Sequence, residues 1–163
     1  LGITNNNAAT DSLSFQLNGE MFALAADRYI TFETRIKIAD VDATDWLIGL
    51  CVEEPNLLDG VTDGIYFRCP DATGDIDYGV EKDSAETTAD TGVDLVDDTW
   101  VDLSFHVIGT ERVQFFVNGS KIADVTTNLP DDEALTVSFE FNNTTTVAEK
   151  MSISYIDAQS DNR

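Results

Sequence analysis

Two glutamates that flank a short polar segment could form the carboxylate pair of a hydrolase. The segment Glu81-Lys82-Asp83-Ser84-Ala85-Glu86 has the spacing E-x-D-x-x-E. Retaining hydrolysis of a glycosidic bond needs a nucleophile and a general acid about 5 Å apart, and an apolar strand that holds the pair rigidly helps to raise one pKa. Here the intervening residues are Lys, Ser and Ala, and the chain continues as Thr87-Thr88-Ala89-Asp90. This composition predicts a loop, so we expect no catalysis by Glu81 and Glu86.

The single histidine offers no better basis for catalysis. His106 falls on the polar face of a predicted strand, and no Ser or Cys motif near it indicates a nucleophile paired with a base. We therefore expect a protein that is not an enzyme and has no catalytic residues.

Aspartates are grouped in two places where they could bind a metal ion. Asp40, Asp42 and Asp45 lie close together in one connection, and a second group lies within residues 71–77. Carboxylates are suitable ligands for Ca²⁺, but the spacing does not match an EF-hand loop. The three aspartates from Asp40 are candidate calcium ligands, and the alternative is that they are turn residues favoured by Asx geometry. No other cofactor is expected.

Two cysteines, Cys51 and Cys69, lie in neighbouring predicted strands. A hairpin that turns near Gly60 would place them roughly opposite each other, which permits a disulfide. Two cysteines are too few for a disulfide scaffold, and buried free thiols behave as small apolar side chains. The sequence is therefore compatible both with a disulfide and with two free thiols.

The elements that would position these residues are strands. In residues 100–125 apolar side chains alternate with polar ones through two runs, and the pair Asn118-Gly119 suits a two-residue type I′ turn into a third strand. That turn predicts Phe115 opposite Ile122. Similar patterns predict strands in residues 13–17, 30–38, 65–69, 76–80, 135–141 and 151–155. Residues 46–52 are apolar on both faces and predict a central, doubly buried strand.

About ten strands and no long helix indicate an all-β protein with two packed antiparallel sheets. The 163 residues, 42% of them hydrophobic, fit one domain with an ordinary core. We place no internal boundary and expect a single β-sandwich over residues 1–163. The polar ends, residues 2–12 and 158–163, predict loose or attached termini. Leu1 is not an initiator Met, so either the chain is processed or truncated, or an amino-terminal piece is missing.

Charge limits the range of partners. The chain has 31 acidic residues against 9 Lys plus Arg, a formal net charge of −22. Nucleic acid and anionic membranes would be repelled. No apolar run approaches the roughly 18 residues of a membrane span, and the first residues lack a signal-peptide pattern. The acidity is typical of a solvated surface in a salty medium, or of a surface matched to a basic partner or to divalent cations.

At this point the sequence resembles a known group. The strands TWVDLSFHV and VQFFVNGSKIADV resemble the paired strands of concanavalin A-like, laminin-G-like jelly rolls. FETRIKIADVDATDWLIGLCV, VTDGIYFRCPDATGDIDYGVEKDS, DTGVDLVDDTW and TTNLPDDEALTVSFEF are similar to structural proteins of tailed bacteriophages, many from marine hosts. The Glu81–Glu86 spacing is also similar to that of retaining glucanases built on a related sandwich.

The phage resemblance implies a non-enzymatic decoration or cement protein on the outer surface of the virion capsid. Its partners would be the major capsid protein and further copies of itself, as a homo-oligomer. A docking patch should be less charged and more apolar than the rest of the surface. Phe22, Leu57 and Leu58 are candidates for it, and the alternative for the two leucines is that their loop folds back onto the core.

A carbohydrate-binding, lectin-like module is the alternative function. Sugar recognition needs an exposed aromatic side chain with carboxylates and amides around it. The aromatic residues available are Trp46, Trp100, Tyr66 and Tyr78, of which the two tryptophans fit core positions better.

Overall fold

Alternation of apolar and polar side chains places most of the chain in two antiparallel sheets. The computed structural model describes residues 1–162, which form thirteen strands. The six-stranded sheet has the spatial order β1 (Gly2–Thr4), β13 (Lys150–Asn162), β4 (Arg28–Ile38), β9 (Val101–Ile108), β10 (Arg112–Val117) and β11 (Ser120–Val125). The seven-stranded sheet has the order β2 (Ser12–Gln16), β12 (Ala134–Asn143), β5 (Thr44–Cys51), β6 (Gly64–Cys69), β7 (Asp75–Lys82) and β8 (Ala85–Asp94), with β3 (Phe22–Ala23) also on β12.

The two sheets pack face to face as a jelly-roll sandwich, which confirms the predicted fold class. Phe32 stacks on Phe105 across neighbouring strands of one sheet, with ring centroids 4.9 Å apart. Phe67 of the other sheet meets Phe115 edge to face at 5.3 Å. These rings join the inner faces of both sheets into one apolar core. The sandwich leaves each sheet with an outer face on which polar groups can be displayed.

The turn between β10 and β11 has the predicted residues but a shifted register. Asn118 and Gly119 both have positive φ, 50° and 75°, as a type I′ turn requires. Phe115 lies opposite Ala123 and not Ile122, because the ladder shifts by one residue between Phe115 and Phe116. A bulge cannot be deduced from the turn residues alone.

The chain ends are more ordered than the sequence predicts. β1 pairs with β13 through Ile3 and Met151, and β13 continues beside β4 as far as Asn162. The backbone hydrogen bonds of these ladders hold both ends on the six-stranded sheet. Residue 163 lies outside the described residues.

The central strand β5 is buried on both faces, as predicted, because a short helix covers its outer face. Helix α1 (Leu57–Gly60) follows β5 and packs back onto the seven-stranded sheet. A small second apolar cluster forms there from Leu47, Cys51, Leu57, Val61 and Tyr66. No helix of the described residues is long and apolar enough to cross a membrane.

The two cysteines are free and buried. Cys51 pairs with Gly64 and Cys69 pairs with Trp46, so the two thiols lie at opposite ends of the β5–β6 ladder. Cys51 belongs to the cluster beneath α1, and Cys69 belongs to the core between the sheets. The expectation that they lie opposite each other is therefore wrong.

Candidate functional site

Glu81 and Glu86 are brought together by a hairpin that the sequence analysis does not predict. Asp83 and Ser84, with φ of 52° and 61°, form a two-residue turn between β7 and β8. Glu81 and Glu86 are consequently direct cross-strand partners on the outer face of the seven-stranded sheet. The predicted loop is wrong because residues 85–94 form an edge strand, whose polar sequence hides the alternation. An aspartate at the turn, which tolerates positive φ, is the signal that could have revealed it.

Like charges directly opposite each other destabilise a sheet, and Tyr66 offsets this cost. Its hydroxyl lies 2.9 Å from Oε2 of Glu81 and 2.6 Å from Oε1 of Glu86. The two carboxylate oxygens are therefore at most about 5.5 Å apart. Tyr66 is only 1% exposed, whereas the two glutamates that its hydroxyl contacts are half-buried.

A phenol carries one proton and cannot donate to both carboxylates at once. The shorter contact, to Glu86, is typical of donation by Tyr66 to an ionised carboxylate. Burial raises the pKa of Glu81; the hydrogen bond from Tyr66 opposes this effect, and the nearby negative charge of Glu86 adds to it. The hydroxyl therefore lies within hydrogen-bond distance of both carboxylates and can serve only one of them at a time.

Arg68 supplies the positive charge next to this row. Its Nη2 lies 2.9 Å from both carboxylate oxygens of Glu86. The guanidinium carbon is 5.7 Å from the centre of the Tyr66 ring, within the range of a cation–π contact. Its Nε is buried and has no hydrogen-bond partner among the described residues. A buried N–H without an acceptor is costly, so a ligand oxygen placed there would be stabilised.

These side chains line a pocket of about 110 Å³, which we call the acidic pocket. Leu57, Leu58 and Asp59 of α1 and the adjacent Val61 form its wall beside the four residues described above. Glu140 of β12 holds this wall. Its Oε2 accepts the backbone N–H groups of Leu57 at 2.6 Å and Leu58 at 3.3 Å. The pocket is thus built by the sheet on one side and by a tethered helix on the other.

Asp40, Asp42 and Asp45, the candidate calcium ligands, occupy different settings in the structure. Asp40 accepts the backbone N–H of Asp42 at 3.1 Å and caps a 3₁₀ turn, Val41–Ala43. Asp45 lies on β5 with its Oδ1 buried and without a hydrogen-bond partner. Among residues 1–162 no group of three or more His, Cys, Asp or Glu side chains could hold a metal ion. The Asx-turn alternative describes Asp40 and Asp42.

The residues expected to form an apolar docking patch are largely covered. Phe22 of β3 is buried in the main core. Leu57 is buried and Leu58 is half-buried because α1 folds back onto the sheet. An apolar strip is exposed elsewhere, along the edge strand β2 and just beyond it. Leu13, Phe15 and Leu17 are 38%, 47% and 38% exposed. Phe15 stacks on Phe139 of β12 at 5.3 Å.

The aromatic residues differ in their availability to a ligand. Trp46 is fully buried as predicted, and Tyr78 stacks on Phe115 in the core at 4.9 Å. Trp100 is 38% exposed, which corrects its expected core position. The cationic groups of Arg35 and Lys37 each lie 5.6 Å from its ring centre.

Known structures share this fold. The carbohydrate recognition domain of Emp46p, in its potassium-bound form, has a TM-score of 0.65 at 7% identity, and the match covers 95% of this chain and 81% of that one. The carbohydrate-binding module CBM66 of Bacillus subtilis has a TM-score of 0.62 at 8% identity, with 93% and 83% covered. At these identities the likeness shows the fold, and neither description names a phage protein. Among proteins with curated descriptions none matches the sequence.

A protein of unknown function from Shewanella oneidensis, SO2946, has a TM-score of 0.59 at 17% identity. The match covers 98% of this chain and 66% of the Shewanella chain. Residues 2–157 match the family model described as "SO2946-like, C-terminal domain", and the chain therefore belongs to that family.

Proposed function

We propose that this domain is a non-enzymatic carbohydrate-binding module whose acidic pocket holds one sugar unit of a glycan. The observation that carries the proposal is the convergence of Tyr66, Arg68, Glu81 and Glu86 in one pocket on the outer face of a sheet. Sugar hydroxyls both donate and accept hydrogen bonds. A carboxylate beside a guanidinium with a free N–H offers both kinds of partner to neighbouring hydroxyls.

The mutual hydrogen bonds of the pocket suit binding better than hydrolysis. The Tyr66 hydroxyl lies between the carboxylates, and Arg68 neutralises Glu86. A retaining hydrolase needs the scissile bond between its two carboxylates. Here that space is filled by a side chain that the protein itself supplies, so the residues are preorganised for recognition and not for attack on a sugar.

The charge of the pocket defines the class of sugar. Asp59, Glu81 and Glu86 outnumber the single cation Arg68 in its lining, and the chain has a net charge of −22. A uronate or sulfated sugar would be repelled, whereas an uncharged sugar would not. We therefore propose neutral glycans as ligands. Two proteins of similar fold, Emp46p and CBM66, are described as carbohydrate-recognising, which supports this class of function.

The test is a glycan array with neutral, amino and acidic oligosaccharides, followed by calorimetry on each hit. We expect neutral glycans to bind, and Glu81→Gln and Arg68→Gln each to weaken that binding about tenfold or more, because a hydrogen bond to a charged group contributes roughly 1.5–3 kcal/mol. Glu111→Gln, a change of the same type on an exposed turn, is the matched control. Absence of any glycan ligand, or binding that both pocket variants leave unchanged, would refute the proposal.

A second candidate is attachment to a larger protein assembly, the capsid role implied by the sequence resemblance. The exposed strip of Leu13, Phe15 and Leu17 favours it, because β2 also carries no charged residue in a strongly acidic chain. Quantitative mass spectrometry of purified virions tests this role. A simple copy ratio to the major capsid protein supports it, and absence from the particles excludes it.

A further inference from the structure

We propose that the opposite face of the sandwich carries a second sugar-binding site, centred on Tyr155 and independent of the acidic pocket. A groove of about 320 Å³ lies there on the outer face of the six-stranded sheet. It is lined by Glu33, Asp102, Leu103, Ser104, Asn118, Gly119 and Tyr155. We call it the Tyr155 groove.

A bulge in β13 places Tyr155 in this groove. Met151 and Ile153 point into the core, and strict alternation would bury Tyr155 with them. The ladder with β4 shifts between Ile153 and Tyr155, so one extra residue enters the strand. Beyond the shift Ile156 and Ala158 pack against the core, and Tyr155 is 42% exposed. Bulges commonly redirect a side chain at a functional site, and here the redirected group is an aromatic ring.

The polar groups around the ring are free to bind a ligand. Glu33 and Ser104 are cross-strand partners in the β4–β9 ladder. Within residues 1–162, neither side chain makes a hydrogen bond or an ion pair. Asn118 uses its Oδ1 to accept the backbone N–H of Asp102 at 3.0 Å, which leaves its side-chain NH₂ as a donor. The groove thus offers an acceptor, a hydroxyl and a donor around an exposed ring.

This set of groups matches a pyranose. The C–H face of a sugar ring packs on an aromatic side chain, and its hydroxyls need both donors and acceptors at the edge. An anion is disfavoured by Glu33 and Asp102. The nearest cation, Arg35, is already used, since its Nε lies 3.6 Å from Oδ1 of Asp102. A small amine could contact the Tyr155 ring and pair with Glu33. An ammonium group has no acceptor, however, and would leave the side-chain NH₂ of Asn118 unpaired.

The two sites face away from each other because they lie on the outer faces of two packed sheets. One copy of the domain could therefore hold two glycan chains. Such a bivalent module would bind a polysaccharide surface more tightly than either site alone.

The experiment uses ¹⁵N-labelled full chain titrated with neutral gluco-, manno- and galacto-oligosaccharides and, separately, with methylamine. We expect sugar-induced shifts at the amides of Ser104, Asn118 and Tyr155. Tyr155→Ala should weaken this binding about three- to tenfold, as expected for loss of an aromatic contact. Tyr155→Phe should keep it, and Val147→Ala, at another exposed position outside the groove, is the control.

Combination with the pocket variant separates the two proposals. Glu81→Gln should leave the groove shifts unchanged, and only the variant Glu81→Gln/Tyr155→Ala should lose both sites. If the pocket binds no sugar, the groove shifts should persist and be lost with Tyr155→Ala. Absence of groove shifts with every sugar, shifts unaffected by Tyr155→Ala, or shifts with methylamine alone would overturn the second site.

Discussion

The ring of Tyr66 lies directly against the backbone of Gly79 on the neighbouring strand. A β-carbon at position 79 would lie 2.3 Å from Cε2 of Tyr66 and 3.0 Å from Oε1 of Glu86. The hydroxyl of Tyr66 reaches both glutamates from this position. Gly79 therefore leaves the space in which the Tyr66 ring and the Glu86 carboxylate lie.

Gly79→Ala should destabilise the protein and disrupt the pocket together. The added methyl group overlaps a buried ring, and overpacking of this kind costs about 1–3 kcal/mol. Urea unfolding measures the loss, and the proposed glycan binding should weaken in the same variant. Gly2→Ala is the control, since its β-carbon would meet only the flexible end of Lys150 at 3.2 Å. Equal stability of the two variants would contradict this account of Gly79.

The strands were predictable where a buried face alternates with a wet face, as in β4, β9 and β10. β8 was missed because its edge position leaves both faces partly exposed, and its sequence is rich in Thr and Asp. Without β8, the cross-strand pairing of Glu81 with Glu86 could not be predicted. The bulges in β11 and β13 could not be predicted either, because a bulge depends on the pairing with the neighbouring strand and not on local composition.

The residues of the two candidate sites could be predicted only in part. Glu81 and Glu86 were identified by their type and spacing, although as members of a loop. Tyr66 and Arg68 were not connected with them, because that contact depends on the order of β6, β7 and β8 in the sheet. Strict alternation in the strand predicted over residues 151–155 would place Tyr155 on the same face as Met151 and Ile153, and the bulge reverses its orientation.

Asp45→Asn should stabilise the protein at neutral pH. Burial, followed by the negative charges of Asp71 and Asp59, raises the pKa of Asp45 to about 6 from 3.8. Because the pKa of Asp45 is higher in the folded protein, its protonation stabilises the fold. This stabilisation is complete when the pH is below the pKa of the unfolded state, and it is lost as the pH rises through about 6. Asparagine stays neutral and avoids the loss. For a fully buried carboxylate, a pKa shift of this size corresponds to roughly 3 kcal/mol in the free energy of unfolding. Because Asp45 is only partly buried, solvent screening reduces the gain expected from Asp45→Asn to on the order of 1 kcal/mol.

Urea unfolding at pH 8 and pH 4 measures this effect. The advantage of Asp45→Asn should be present at pH 8 and small at pH 4. Asp42→Asn is the control, because it removes the same charge from an exposed position. It measures how much stability is gained merely by reducing charge repulsion in this acidic chain. A gain of equal size in both variants would show that burial of Asp45 is not the cause.

Glu140→Ala should release α1 from the wall of the acidic pocket. The Glu140 carboxylate accepts the N–H groups of Leu57 and Leu58 through one oxygen and the hydroxyl of Ser12 through the other, at 2.6 Å. Its removal leaves two backbone donors without their acceptor, at a cost of about 2–3 kcal/mol. Hydrogen exchange should accelerate at Leu57 and Leu58 before the sheet amides. Ser12→Ala, which removes one partner and keeps the carboxylate, should leave exchange in α1 unchanged, and similar exchange in both variants would refute the role of Glu140.

Moderate salt should stabilise the protein because its charges mostly repel one another. Six ion pairs within the described residues cannot balance a net charge of −22. Raising NaCl from about 10 mM to about 500 mM shortens the screening length from roughly 30 Å to below 10 Å. We expect stability to increase by on the order of 1 kcal/mol, which is about 2–4 °C in Tm for a chain of this size. Choline chloride at the same ionic strength should act equally, because screening does not depend on the cation. A rise in Tm with millimolar CaCl₂ but not with either salt would instead indicate a specific cation site and would contradict screening as the cause.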